Sequence, residues 1–358
     1  MLLLFIPLVQ YAFPVFRVKP LNGWMLRTEK QDFTLRGWFT GEYQQNEEKY
    51  LNENFGFRNF FVRLNNQLAY SFFGKFNAVG VIKGKENYLY EDAYINAYYG
   101  TDFIGSDSIR GYFDRFKFIQ DTLEKLDKTF MLVYTPGKGY FYPEYIPDEY
   151  HRERSVTNYD VFVSLAKEYG IKNIDFHQYL RDQKNISAYS LFPQYGIHWS
   201  RYAICLALDS MIRNIEQIRN IDMPDIYWNE VKLAQPKDGD YDIGNAFNLL
   251  FNLKSFGMGY PQYHFENEEG KDKPSLLVVA DSFFWGIYHL GLTSSFSRVD
   301  FWYYNKQAYP DDVEVAGLNL RKEIEDHDVI MILGTDISMR DFGWGFGKNV
   351  SELFRGKN

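Results

Sequence analysis

The chain of 358 residues has one cysteine, Cys205. A single thiol excludes an internal disulfide framework and any multi-cysteine zinc or iron–sulfur site, and says nothing of compartment. Dense Lys/Arg runs are missing as well. With Lys+Arg 39 against Asp+Glu 47 the formal net charge is −8, so the electrostatic footprint of a nucleic-acid binder is absent. No apolar run reaches the roughly 20 residues needed to span a bilayer. Walker spacing and His-Glu-x-x-His are also lacking. Asp238-Gly239-Asp240-Tyr241-Asp242 begins like a calcium loop, but its sixth position is Ile243 and its twelfth Leu249, which fits a polar helix start better. No metal or organic cofactor is expected.

What is abundant is apolar and aromatic: 46% hydrophobic residues, with 29 Tyr and 32 Phe. Such a chain can bury a large core, which excludes intrinsic disorder. Residues 1–25 form an apolar N-terminal segment in which Met1 to Phe16 is broken by Gln10, Pro7 and Pro14 and followed by Arg17 and Lys19. It reads either as a clipped signal-anchor or as a buried segment. Residues 26–358 read as a single domain, with a helical and hairpin lead-in at about 50–100.

Beyond the lead-in a unit of helix and buried strand repeats. Ile109, Tyr112, Phe113, Phe116, Ile119, Leu123 and Leu126 recur at helical spacing before the apolar run Thr129 to Tyr134. Val156 to Tyr169 predicts a second helix before a strand at Ile171 to Phe176, and further strands are expected at Ser275 to Ala280, Val299 to Tyr304 and Val329 to Gly334. Short apolar strands alternating with helices imply an α/β fold with a mainly parallel sheet and helices on both faces. Tyr227 to Tyr263 is the least regular stretch and reads as an insertion. In such a sheet ligands sit beyond the carboxyl ends of the strands, which directs attention to Thr135 to Lys138, Asp175 to His177, Asp281-Ser282, Asn305 and Thr335-Asp336.

Leu276 to Ala280 followed by Asp281-Ser282 is the sharpest local feature. A serine at a strand-to-helix turn presents its hydroxyl and its own N–H to the same space, bringing nucleophile and oxyanion donor together. An ordinary helix cap would have the same residues. Of the six histidines the best placed base is His198, in Phe192-Pro193-Gln194-Tyr195-Gly196-Ile197-His198-Trp199-Ser200. It follows a Pro/Gly loop and precedes an amphipathic helix carrying Ile204, Ala207, Leu208, Met211 and Ile215.

Together these segments resemble the SGNH-hydrolase-like (flavodoxin-like) polysaccharide O-acetyltransferases, the alginate acetylation proteins AlgX and AlgJ and their relatives. There a His-Trp motif precedes a Gly-Asp-Ser-like motif. Glu53-Asn54-Phe55-Gly56-Phe57-Arg58, Gly84-Lys85-Glu86-Asn87-Tyr88-Leu89-Tyr90 and Thr135-Pro136-Gly137-Lys138 with Tyr140 are similar to further family segments, in the family's order. The resemblance implies that Ser282 accepts an acetyl group and passes it to a sugar hydroxyl, with His198 as base and then acid. Lys138 would line the acceptor or oxyanion region; Tyr140, Trp199, Asp281 and Asn305 complete the expected substrate contacts. It also implies a polysaccharide acceptor, a membrane-bound O-acyltransferase as acetyl donor, and a place in the bacterial cell envelope, periplasmic and anchored through the N-terminus. Two departures stand out. Ala280 replaces the glycine before Asp-Ser, and Gly196 occupies the position two before the histidine where the family has an Asp to orient it. Asp336 is the first candidate to take over that role, ahead of Asp175 or a backbone carbonyl, while Asp281 is a poorer choice because it is expected to hold the loop around the serine. A carbohydrate acetyl esterase with the same site, and a non-catalytic glycan-binding or assembly protein, are the alternatives.

Overall fold

The computed structural model describes residues 2–23, 28–76, 78–267 and 269–356; Met1 and residues 24–25 of the apolar N-terminal segment lie outside them. Contacts divide the chain into two compact units, Met1–Val79 with Asp242–Lys254 and Gly80–Tyr241 with Ser255–Asn358. The larger unit therefore starts at Gly80, well after residue 26.

The strands, in chain order, are β1 (Val81–Lys83), β2 (Leu89–Glu91), β3 (Thr129–Thr135), β4 (Asn173–Asp175), β5 (Ile226–Ala234), β6 (Met258–Phe265), β7 (Leu276–Ala280), β8 (Val299–Tyr303), β9 (Gln307–Tyr309), β10 (Val313–Glu314) and β11 (Val329–Thr335). Seven of them form one sheet in the order β10-β9-β8-β7-β11-β3-β4. From β8 to β4 all neighbours are parallel, while β9 and β10 add an antiparallel edge. This is the α/β, mainly parallel sheet expected of an SGNH-hydrolase-like domain.

Burial explains why the central strands read as continuous apolar runs. Phe130, Leu132, Tyr134, Leu277, Val279, Ile330 and Ile332 face one side and pack on Ile109, Phe113, Phe116, Phe162, Phe346 and Val350. Those last residues come from the helices Ser106–Glu124, Asn158–Tyr169 and Phe346–Arg355. The alternate residues Met131, Val133, Val278, Ala280, Met331 and Leu333 are also fully buried, and successive side chains of a strand point to opposite faces. Both faces are covered.

Tyr227 to Tyr263 is more ordered than its sequence suggests. β5 and β6 pair antiparallel, from Ile226 opposite Phe265 to Ala234 opposite Met258. β1 and β2 form the predicted lead-in hairpin.

In the smaller unit, helices span Leu2–Ala12, Leu35–Thr40, Glu42–Asn54, Arg58–Phe73 and Asp242–Ala246. Arg63 donates to the carbonyls of Lys19 and Pro20, Asn22 bonds Asn245 and Asn248, and Phe76 stacks on Phe247 at 4.2 Å. Phe5, Leu8, Val9, Phe13, Trp38, Phe39, Phe72 and Phe73 are exposed. Among the described residues no helix is long and apolar enough to cross a membrane.

Candidate active site

β7 is buried along its length and stops beside β11, with Ala280 opposite Leu333. The chain turns there because Asp281 ties the two strand ends together. Its Oδ1 accepts from Phe283 N at 3.0 Å; its Oδ2 accepts from Thr335 N at 2.8 Å, Thr335 Oγ1 at 2.9 Å and Ser338 Oγ at 2.7 Å. Four donors account for the carboxylate. Asp281 is thus the brace of the serine turn that its place beside Ser282 suggested, rather than a substrate contact.

Ser282 emerges from this brace half-buried, and among the described residues no protein acceptor takes its backbone N–H. His198 Nε2 lies 3.0 Å from Ser282 Oγ, the reach required of a base that activates a hydroxyl. The imidazole leans on Phe283, ring centres 4.9 Å apart.

Local anchors on both sides fix His198. Trp199 is buried and its indole N–H donates to Phe283 O at 3.2 Å. Ser200 caps the helix Arg201–Arg219 by accepting from Ala203 N, and its own N–H and hydroxyl reach Leu191 O and Ser190 O. Trp199 is therefore a clamp between the histidine and serine segments, which corrects its assignment as a substrate contact. Upstream, Lys138 is 0% exposed. Its ammonium donates to the carbonyls of Leu89 at 3.0 Å, Gln194 at 3.0 Å and Gly196 at 2.5 Å. Fully buried and bonded to these three carbonyls, Lys138 holds the loop before His198 rather than lining an acceptor region.

Asp336 is close to the site but does not orient the histidine. Its Oδ1 accepts from the Ile337 N–H at 3.0 Å, and its Oδ2 is buried without a partner among the described residues. Burial pushes its carboxyl up to about 8, with the Asp102 and Asp281 charges adding to the rise. At neutral pH it is mostly protonated. Asp175 is also spent, capping the helix Phe176–Gln183 and accepting from the Tyr159 hydroxyl.

Tyr140 and Asn305 fall elsewhere. Tyr140 lines a cavity of about 260 Å³ with Pro136, Arg154, His177 and Arg181, and its hydroxyl accepts from Arg154. Asn305 sits in the turn after β8 and donates to Trp344 O. The residue that matters in this turn is one earlier. The Tyr304 phenol stands beside Ser282 and Asp281, and burial together with the Asp281 charge raises its pKa. Tyr304 also lines a cavity of about 410 Å³ with Ile104, Ser338 and Trp344. Nothing in the local sequence marks it except its place after a strand, because its left-handed backbone, φ 50°, turns the ring where an extended residue would not point.

Among the described residues one cluster has the side chains to hold a metal ion, Asp300, Glu323 and His327. Arg298 ion-pairs with both Asp300 and Glu323, supplying the positive charge that a cation would.

Residues 81–242 match the family described as SGNH hydrolase-like domain, acetyltransferase AlgX. The matched part is less than half of the chain; it contains His198, and Ser282 follows outside it. No curated protein matches the chain. Among solved structures, Bacillus cereus PatB1 with a sulfonyl adduct has the same fold, with a TM-score of 0.51 at 11% identity over 74% of this chain and 99% of that one. The O-acetyltransferase domain of Pseudomonas putida AlgJ gives 0.48 at 14% identity, covering 76% and 99%. Pseudomonas aeruginosa AlgX gives 0.48 at 12%, covering 78% and 71%.

Proposed function

We propose that this chain, an SGNH hydrolase-like protein of the AlgX acetyltransferase type, transfers acetyl groups to hydroxyls of an exported or cell-surface polysaccharide through an ester on Ser282. The observation that carries the reading is the 3.0 Å contact between His198 Nε2 and Ser282 Oγ at the carboxyl end of β7.

Ser282 Oγ attacks the acetyl carbonyl as His198 takes its proton. The oxygen that becomes negative meets the Ser282 N–H, a preorganised donor for the charge that develops in the transition state. Collapse expels the donor's leaving group, which takes the proton from His198. A sugar hydroxyl then attacks the acetyl-serine ester, His198 takes that proton, and collapse returns it to Ser282. If water enters in place of the sugar, the same steps make the protein an acetyl esterase. The contact between His198 and Ser282 favours either catalytic reading over a purely glycan-binding protein.

The acetyl donor in this reading is a membrane-bound O-acyltransferase, since acetyl groups for an exported glycan must cross the cytoplasmic membrane. A location in the cell envelope accords with that chemistry and with the exposed apolar side chains of the N-terminal segment. The test pairs a chromogenic acetyl ester with an oligosaccharide acceptor. Acetylated sugar formed by the wild type and lost in Ser282→Ala supports transfer; acetate alone supports the esterase; neither product, with the fold intact, overturns the catalytic reading.

A further inference from the structure

His198 needs a partner for the ring nitrogen that faces away from Ser282, because that bond selects the tautomer able to accept the serine proton. Four carboxylates of the described chain are buried: Asp240, Asp281, Asp300 and Asp336. Asp281 is taken by Thr335, Ser338 and Phe283. Asp336 is turned to Gly137 and Ile337. Asp300 stands at the amino end of β8 with Arg298 and His327, whereas Ser282 lies beyond the carboxyl end of β7. Asp240 remains.

The segment carrying Asp240 packs on the loop that carries His198. A Cβ at Gly196 would lie 2.5 Å from Gly239 O and 2.9 Å from Asp240 C. Residues 239 and 240 thus occupy the space that a side chain two residues before the histidine would need. Tyr241 meets Tyr195 edge-on, ring centres 5.7 Å apart. Asp240 is 3% exposed, in the 3₁₀ turn Asp238–Tyr241. The Tyr260 hydroxyl, which accepts from Lys237 N, is close enough to Asp240 that burial and the carboxylate's charge together raise its pKa. A buried carboxylate on a segment pressed against residue 196 is a positioning group and not a solvated charge.

We infer that Asp240 orients His198, supplying from a separate segment the carboxylate that Gly196 cannot carry. The inference rests on the catalytic reading of the Ser282–His198 pair but is testable without turnover. The imidazole of His198 is titrated by NMR, its signals identified through His198→Asn, in the wild type and in Asp240→Asn. Loss of the carboxylate should lower the midpoint by on the order of one pH unit or more. The kcat for a chromogenic acetyl ester should fall on the order of 10²- to 10⁴-fold with KM changed only a few-fold, and Asp240→Glu should recover part of it. If Asp240→Asn melts like the wild type and leaves both midpoint and kcat unchanged, the inference is overturned and a backbone carbonyl orients the ring. Should Asp240→Asn fail to fold, Tyr260→Phe gives the second reading. Removing the phenol leaves the carboxylate a stronger acceptor and should raise the His198 midpoint; an unmoved midpoint also overturns the inference. A midpoint that responds in a protein with no acetyl turnover would leave Asp240 in place and refute the acetyl-transfer reading instead.

Discussion

Replacing Asp336 by Asn should flatten the pH dependence of stability without disabling the site. In the folded protein the buried carboxyl keeps its proton up to about pH 8, whereas its ordinary value is 3.8. Between those values the folded state binds a proton that the unfolded state has released, so the group's contribution to stability is full below pH 3.8 and is lost as pH rises toward 8. Each pH unit in that window costs about 1.4 kcal/mol, on the order of 5 kcal/mol across it. Asn can accept from the Ile337 N–H as the acid does, and it has no charge to bury. Denaturant unfolding from pH 5 to pH 8.5 should show the wild type weakening steeply and Asp336→Asn weakening much less, with the variant the more stable at the alkaline end. Ester turnover at pH 7 should stay within a few-fold, because Asp336 makes no bond to His198. A variant with the wild-type slope would refute the buried neutral acid, and a loss of activity on the order of 10³-fold or more would return Asp336 to the catalytic machinery.

Lys138→Met should lower unfolding free energy by about 3–5 kcal/mol in denaturant titration, since three buried carbonyls lose their donor; a loss under about 1 kcal/mol would contradict that role. Gly196→Asp should not improve catalysis: its Cβ would press on Gly239 O, so a lower melting temperature and reduced ester turnover are expected, and a faster enzyme would show that the loop gives way. Asp281→Asn should reduce kcat on the order of tenfold or more, as the brace of the serine turn loses a charged acceptor, while His198→Asn removes turnover almost entirely in the same assay.

The fold was legible because its signals are local. Thr129 to Thr135 and Leu276 to Ala280 are apolar on both faces, which only a strand buried between two helical layers requires, and Ile109 to Leu123 repeats at helical spacing. The ribbon β5–β6 was not legible, since Tyr227 to Leu233 alternates weakly and is half exposed, its order coming from a partner strand some thirty residues on. The same division holds at the site. Ser282 and His198 each sit in a segment with its own turn chemistry, so each could be found without the other. Lys138 and Trp199 look like ligands in a linear reading because they flank motifs; only the three-dimensional hydrogen bonds show that they hold backbone. Tyr304 depends on one left-handed residue, and Asp240 on the approach of a segment more than forty residues from His198.

The central claim is that Ser282 carries the acetyl group. Brief incubation with an activated acetyl ester, acid quench and peptide mass spectrometry test it directly. The account predicts the mass of one acetyl group on the peptide containing Ser282, absent in Ser282→Ala and slow to form in His198→Asn. Acetyl on lysines alone, or an unlabelled Ser282 in a protein that nevertheless consumes the ester, would contradict it.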